Sequence, residues 1–234
     1  MAMPALGLAV SVTCMMVLSW SASVAQAAAT QDIVNARDTF VGSSGVVTQP
    51  ENLETFLQSI PATSTLSLVQ QVEGTGNRTS IEQTGTANRA VVYQGFGDDN
   101  ELALLQQGIG SDFLATQRGS SNRIEANQLG NDNDIVATQS GIENSLLVNQ
   151  FGDANQLRVD QIDDFNRAVI TQNGNTTLDV VQTNAGGTSA SVNDLTLSAR
   201  VEAGYTSNFS PIRIDGAGTQ SIALCSGSPA FCAP

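Results

Sequence analysis

Gln117-Arg118-Gly119-Ser120-Ser121-Asn122-Arg123-Ile124-Glu125-Ala126-Asn127-Gln128-Leu129-Gly130-Asn131-Asp132-Asn133-Asp134-Ile135-Val136-Ala137-Thr138-Gln139 is the stretch that decides the fold. Three glutamines stand 11 residues apart, each followed two positions on by Gly and five positions on by Asn. Between Asn122 and Gln128 the apolar residues are Ile124 and Ala126; between Asn133 and Gln139 they are Ile135 and Ala137. Alternation with a period of two describes a strand of about seven residues with one buried face, since successive side chains leave opposite sides of a pleated chain. A helix would scatter the same positions around its circumference. The intervening Gln-x-Gly-x-x-Asn segments hold Gly, Asn and Asp, which tolerate left-handed backbone and close local hydrogen bonds, so they read as turns.

Working outward, the glutamines continue at Gln83, Gln94 and Gln106 before this stretch and at Gln150, Gln161, Gln172 and Gln182 after it, with steps of 10 to 12. The unit repeats over half the chain, and such periodicity governs the architecture. Asn88, Asn100, Asn122, Asn133, Asn144, Asn155 and Asn166 hold the second amide position, Ser111 stands where Asn is expected, Asp163 replaces the Gly, and the last unit is one residue short. Ser64-x-Leu66-x-Leu68-x-Gln70 reads as an earlier copy leading to Asn77 with two residues inserted.

Strand, turn, strand, turn at 11-residue steps makes a coil of about 22 residues. Alternate strands then stack into two facing parallel sheets, one ending in Gln83, Gln106, Gln128, Gln150 and Gln172, the other in Gln94, Gln117, Gln139, Gln161 and Gln182. The fold class is all-β: a two-sheet parallel β-solenoid with irregular N- and C-terminal extensions. By parity each Gln and Asn points inward with the apolar pair between them, and buried amides are costly unless bonded. Stacked roughly 4.8 Å apart, identical amides can bond to the copy above and below. On the outer face the residues after the Asn position read Arg78, Glu101, Arg123, Ser145 and Arg167, so opposite charges become neighbours at the start of that column. Gly97-Asp98-Asp99, Asn131-Asp132-Asn133-Asp134 and Asp163-Asp164 place acids in the turns. They read either as gatekeepers against uncontrolled aggregation or as ordinary turn residues.

Composition removes other classes of function. Of 234 residues, 22 are acidic and nine basic, all nine arginine, for a net charge of -13. Nucleic-acid binding needs clustered cations and is excluded. With no histidine, triads, histidine metal sites and imidazole acid–base schemes fall away. The carboxylates scatter over turns and outer faces without a convergent pair, so the sequence offers no catalytic residue, metal-ligand set, cofactor site or small-molecule substrate. Residues 1–27 read as a secretory signal: Ala5 to Val17 is apolar but too short for a bilayer, and Ser23-Val24-Ala25-Gln26-Ala27 supplies a small-x-small cleavage site after Ala27. Cys14 leaves with it. Cys225 and Cys232 remain, an even pair in an exported chain, expected to form a disulfide closing a small loop. Residues 28–63 form an N-terminal segment with an amphipathic piece, Glu51 to Ile60, read as a short helix ended by Pro61. The solenoid takes residues 64–182. Residues 183–234 form an extension in which Leu195, Leu197, Ala199 and Val201 mark one more strand before a tail with the cysteine pair.

The unit resembles the curlin repeat, Ser-x5-Gln-x-Gly-x-x-Asn-x5-Gln, over Ser64 to Gln182. This resemblance implies an exported, non-enzymatic subunit or nucleator of curli-type amyloid surface fibres, serving adhesion and biofilm matrix. It further implies partners that are copies of the chain or other curlin subunits, a curli-type outer-membrane export pore, and an extracellular, cell-surface location. The family's polymerisation role maps onto Gln83, Asn88, Gln94, Asn100, Gln106, Gln117, Asn122, Gln128, Asn133, Gln139, Asn144, Gln150, Asn155, Gln161, Asn166 and Gln172. Two departures stand out: residues 28–63 are not the Gly- and Asn-rich segment of the family's main subunit, and about fifty residues follow Gln182. An extension of that length could cap the last coil, which keeps open a rival reading, a monomeric secreted β-solenoid that binds a ligand without polymerising.

Overall fold

The computed structural model describes residues 29–33, 66–202, 204–205, 207–209 and 211–232. The signal segment and the helix expected at Glu51 to Ile60 lie outside the described residues. Among the described residues the regular structure is all β apart from one short helix, α1 (Pro229–Cys232).

Two eight-stranded sheets face each other across one core. The first contains, in stacking order, β1 (Ala29–Ile33), β3 (Arg78–Thr86), β5 (Glu101–Ile109), β7 (Arg123–Leu129), β9 (Ser145–Phe151), β11 (Asn166–Asn173), β13 (Asn193–Val201) and β16 (Gly218–Ser226). The second runs β2 (Leu66–Val72), β4 (Arg89–Gly95), β6 (Asp112–Arg118), β8 (Asp134–Ser140), β10 (Gln156–Asp163), β12 (Thr176–Asn184), and ends in an interrupted rung, β14 (Ser207–Asn208) and β15 (Ile212–Asp215), both beside β12. Among the described strands the pairings are parallel except that of β1, which lies antiparallel against β3 with Ala29 opposite Gln83. The chain is a parallel two-sheet β-solenoid.

Register follows the repeat. Gln83 pairs with Gln106, Gln106 with Gln128, Gln128 with Gln150 and Gln150 with Gln172. The other sheet aligns Gln94, Gln117, Gln139, Gln161 and Gln182 in the same way. A one-residue slip would turn every apolar pair to solvent, so the pattern specifies its own alignment. Ile124, Ala126, Ile135, Ala137, Leu146 and Val148 are each at most 1% exposed and form one continuous core with the equivalent pairs of the other coils.

One expectation is corrected. The first copy was placed on Gln70, but β2 aligns Val69 with Val92 and Gln71 with Gln94, so Gln71 is the column residue. The adjacent glutamines made both phases readable, and pairing with β4 chooses the one that puts an amide on an amide. The stack also runs past Gln182: β13 is the strand expected at Leu195 to Val201 and carries Leu195, Leu197 and Ala199 into the core, and β16 adds a further rung that pairs with it along its whole length. A further departure is at β4, where Val91 and Tyr93 alternate with the core residues Ala90 and Val92 yet are equally buried, so this strand is covered on both faces.

Candidate functional site

Turn geometry sets where the amides sit. The residue before each Asn, namely Ala87, Asp99, Ser121, Asp132, Glu143, Ala154 and Phe165, has φ between 54° and 61°, which swings the chain from one sheet to the other. Gly108 and Gly130, at φ 139° and 133°, lie so close to the following coil that a Cβ would come within 1.9 Å and 2.1 Å of the carbonyl oxygens of Gly130 and Gly152. At these two positions only glycine lets the turns stack at rung spacing.

Within that frame the glutamines form two continuous columns. Gln83 Nε2 donates to Gln106 Oε1 at 2.7 Å, Gln106 to Gln128 at 2.7 Å, Gln128 to Gln150 at 3.1 Å and Gln150 to Gln172 at 2.8 Å. In the other sheet Gln71 donates to Gln94 at 2.8 Å, Gln94 to Gln117 at 2.8 Å, Gln117 to Gln139 at 3.0 Å, Gln139 to Gln161 at 2.8 Å and Gln161 to Gln182 at 2.8 Å. The second amide hydrogen goes to backbone oxygens across the coil, as from Gln139 Nε2 to the Arg123 carbonyl at 2.9 Å. Each side chain therefore ties its own coil together and holds the next.

The asparagines work in the opposite direction. Asn122 donates its backbone N–H and its Nδ2 to Asn100 Oδ1, both at 3.1 Å, and Nδ2 also reaches the Gly141 carbonyl at 2.9 Å. Asn155 bonds Asn133, and Asn166 bonds Asn144, in the same manner. Asn88 Oδ1 accepts the N–H of Ser111, whose hydroxyl accepts the N–H of Asn133, so serine keeps the column going. Thr176 donates both its N–H and its hydroxyl to Asn155 Oδ1. From Asn88 to Asn166 and from Gln94 to Gln172 every amide named from the repeat is at most 1% exposed, while Gln83 sits at the stack's N-terminal end.

The turn acids have a specific placement. Asp98 Oδ1 accepts the N–H of Thr75, Asp153 Oδ1 that of Asn131, and Asp164 Oδ1 that of Ile142, each 2.7 to 2.8 Å and each reaching the preceding coil. Asn131 serves Ile109 equivalently. These carboxylates are clips between coils, a role that composition alone does not reveal. Outside the sheets, Arg123 pairs with Glu101 of the previous coil and Glu125 of its own strand. The hydrogen bond to Glu125 and then the charge of Glu101 hold its pKa above the ordinary arginine value. Arg89 meets Asp112 through two nitrogens, a pair the one-column charge reading missed because it lies in the other sheet. An outer amide pair, Asn127 to Asn149 at 2.9 Å, was missed as well because it falls between the repeat's fixed positions.

At the C-terminal end the chemistry changes. Gln172 aligns with Ala199, Ala199 with Leu224, and Gln182 with Ile214. Asn166 is matched to Asn193, a step of 27 residues, and the Oδ1 atoms of these two buried asparagines find no hydrogen-bond partner. Cys225 and Cys232 are joined by a disulfide with Cα atoms 5.7 Å apart. Beside it Arg200 lies 5.2 Å from the ring centroid of Phe231, a cation–π contact.

The family model for the curlin associated repeat matches residues 74–108 and 114–141, the coils from the turn before β3 to the turn after β8. No curated protein and no solved structure matches the chain. Those coils carry the curlin associated repeat, and in each sheet its amides form one glutamine column and one column led by asparagine.

Proposed function

We propose that this chain is a structural, non-enzymatic subunit or nucleator of curli-type extracellular amyloid fibres that serve cell adhesion and biofilm matrix. A secretory signal in residues 1–27 takes it to the periplasm, and a curli-type outer-membrane pore takes it to the cell surface. Its partners are other curlin subunits, its own kind or different ones. The observation that carries this reading is the pair of buried glutamine columns bonded from coil to coil. A column of identical amides has no intrinsic length, and a solenoid's terminal strand carries backbone donors and acceptors that another strand can use. Adding a subunit continues sheet and column together, which is strand addition at an edge.

In this account the amides mapped from the repeat, Gln83 to Gln172 and Asn88 to Asn166, carry assembly through the contacts they make within one chain. Purified mature protein tests the proposal: it is expected to give thioflavin fluorescence and cross-β diffraction near ~4.8 and ~10 Å. Replacing Gln128 and Gln139 together with Ala should slow that assembly. Protein that stays monomeric for days, without either signal, would instead be the secreted, non-polymerising binding module.

A further inference from the structure

The outer faces of the two sheets are not alike. Side chains alternate along a strand, so the residues between the core pairs face away from the interior. On the first three strands of the second sheet these outward residues are buried: Leu68 is 2% exposed, Val91 0%, Leu114 6% and Tyr93 2%. Register stacks Leu68, Val91 and Leu114 in one column, with Tyr93 beside it. Gly95 keeps this surface low, because a Cβ there would come within 2.7 Å of Tyr93 Oη, so the ring lies along its own strand. The burial fades along the stack. Val136, next in the column, is only half-buried, and Arg158 after it is exposed. The ion pairs follow the same division: Arg89 and Asp112, beside the patch, are 12% and 24% exposed, against 49% for both Arg123 and Glu101 on the first sheet.

No described strand or helix lies over this patch. Every described strand belongs to one of the two sheets, and α1 is bonded through its disulfide to β16 at the other end of the stack. The segment that fits is Glu51 to Ile60, which lies outside the described residues. Its apolar residues Leu53, Phe56, Leu57 and Ile60 fall at the spacing of one helical face, and Glu51, Glu54, Gln58 and Ser59 fall between them. The lengths agree as well. A helix over that segment is about 15 Å long, and three strands side by side are about 14 Å wide. Residues 61–65 join Ile60 to Leu66, where β2 begins, and such a link reaches at most about 17 Å.

We propose that residues 51–60 dock within their own chain on the outer face of β2, β4 and β6, setting their apolar stripe against Leu68, Val91, Tyr93 and Leu114. The segment preceding the repeat is then a packing partner of the solenoid, and these three rungs offer no bare apolar strip to another chain. The inference goes beyond the fibre reading and concerns the single molecule.

The test uses the chain without residues 1–27. It has no tryptophan once Trp20 is removed with them, and its remaining cysteines are joined. Phe56→Trp and Leu114→Cys, made in separate proteins, therefore add one indole and one free thiol. In freshly prepared soluble protein Phe56→Trp should emit at a blue-shifted wavelength and resist acrylamide. Val91→Asp should raise its quenchable fraction at least about tenfold, because a carboxylate in the middle of the patch would be buried without a partner. Leu114→Cys should react with a maleimide at least about tenfold faster when Leu57→Asp is added, a change that leaves every core residue in place. Should Val91→Asp fail to fold, the Leu57→Asp arm decides alone. Quenching of Phe56→Trp like that of free indole, or labelling of Leu114→Cys that Leu57→Asp leaves unchanged, overturns the docking. Protection that disappears on dilution puts the segment of a second copy on the face and overturns the contact within one chain. Neither readout involves fibres, so the fibre reading stands or falls separately.

Discussion

From β5 to β11 each coil offers the same two inward amides, whereas the rungs at β13, β15 and β16 put Ala199, Ile214 and Leu224 where glutamine stood. The apolar interior hardly changes across that boundary: Leu195 and Leu197 are as buried as Ile124 and Ala126. Apolar alternation is therefore sufficient to continue the sheets, and the amides add something separable, a register lock and a means of joining one coil to the next. Where the lock stops, Asn166 and Asn193 are left with unpartnered oxygens, each costing about 1–3 kcal/mol. The seam between the two regions is thus the strained part of the interior, and the central coils are the satisfied part.

The largest expected effect comes from breaking the turn stack in the central coils. In Gly130→Ala the new Cβ would lie 2.1 Å from the Gly152 carbonyl oxygen at φ 133°, a backbone-to-backbone clash that no side-chain rotation relieves. We expect a loss above about 3 kcal/mol, or no folded protein. Gly216→Ala, at φ 79° with nothing within 4 Å, should cost only the left-handed strain of about 1–2 kcal/mol. Urea unfolding of both variants decides it, and equal losses would erase the distinction between the regions.

Next in size is the column itself. Gln139→Leu removes the donor to Gln161 Oε1 and to the Arg123 carbonyl and the acceptor for Gln117, leaving buried groups unsatisfied. A cost of about 2–4 kcal/mol follows. Leu224→Gln, at a half-buried terminal rung, should cost less than about 1 kcal/mol. If Gln139→Leu were as mild as Leu224→Gln in thermal unfolding, the amides would be space-fillers.

The contrast also marks how far the sequence could be read. The 11-residue spacing revealed the two sheets, their register and the inward amides, because period-two alternation and a fixed turn length leave one consistent stacking. Beyond Gln182 the glutamine cue ends and the step from Asn166 lengthens to 27 residues, so only the alternation at Leu195 to Val201 remained as a sign of β13. β16 was invisible: most of its residues, such as Thr219, Gln220 and Ser221, are exposed, its apolar alternation is only Ile222 and Leu224, and its place is set by pairing with β13. Gln71 was missed for a similar reason, since Leu66, Leu68 and Gln70 alternate as well as Val69 and Gln71 do, and only the neighbouring strand selects the phase. The clip role of Asp98, Asp153 and Asp164 depends on a coil 22 or 23 residues earlier, which turn propensity does not encode.

A smaller effect is expected at the terminal loop. Opening the disulfide with Cys225→Ser and Cys232→Ser removes a cross-link of sequence separation 7, with a ceiling of about 2.5 kcal/mol from loop closure. The loss should be confined to the last coil. Amide exchange should speed up in β16 while β5 to β11 keep their protection; uniform loss of protection would show that the terminal and central coils unfold as one unit.

The outer ion pairs bring the smallest change, and they differ by exposure. Arg89 and Asp112 have side chains only 12% and 24% exposed and meet through two hydrogen bonds, so Asp112→Asn should cost about 1 kcal/mol. Arg123 and Glu101 are each 49% exposed, and solvent screens them. Arg123 also keeps Glu125 when Glu101 is neutralised, so the guanidinium is not stranded. Glu101→Gln should therefore change stability by less than about 0.5 kcal/mol, and the difference should vanish in high salt. Both pairs link consecutive coils, as the amide columns do, and the comparison asks which kind of link holds the stack. If Glu101→Gln cost as much as Gln139→Leu, coil-to-coil cohesion would reside on the charged surface, and the buried columns would lose their claim to be what one coil offers the next.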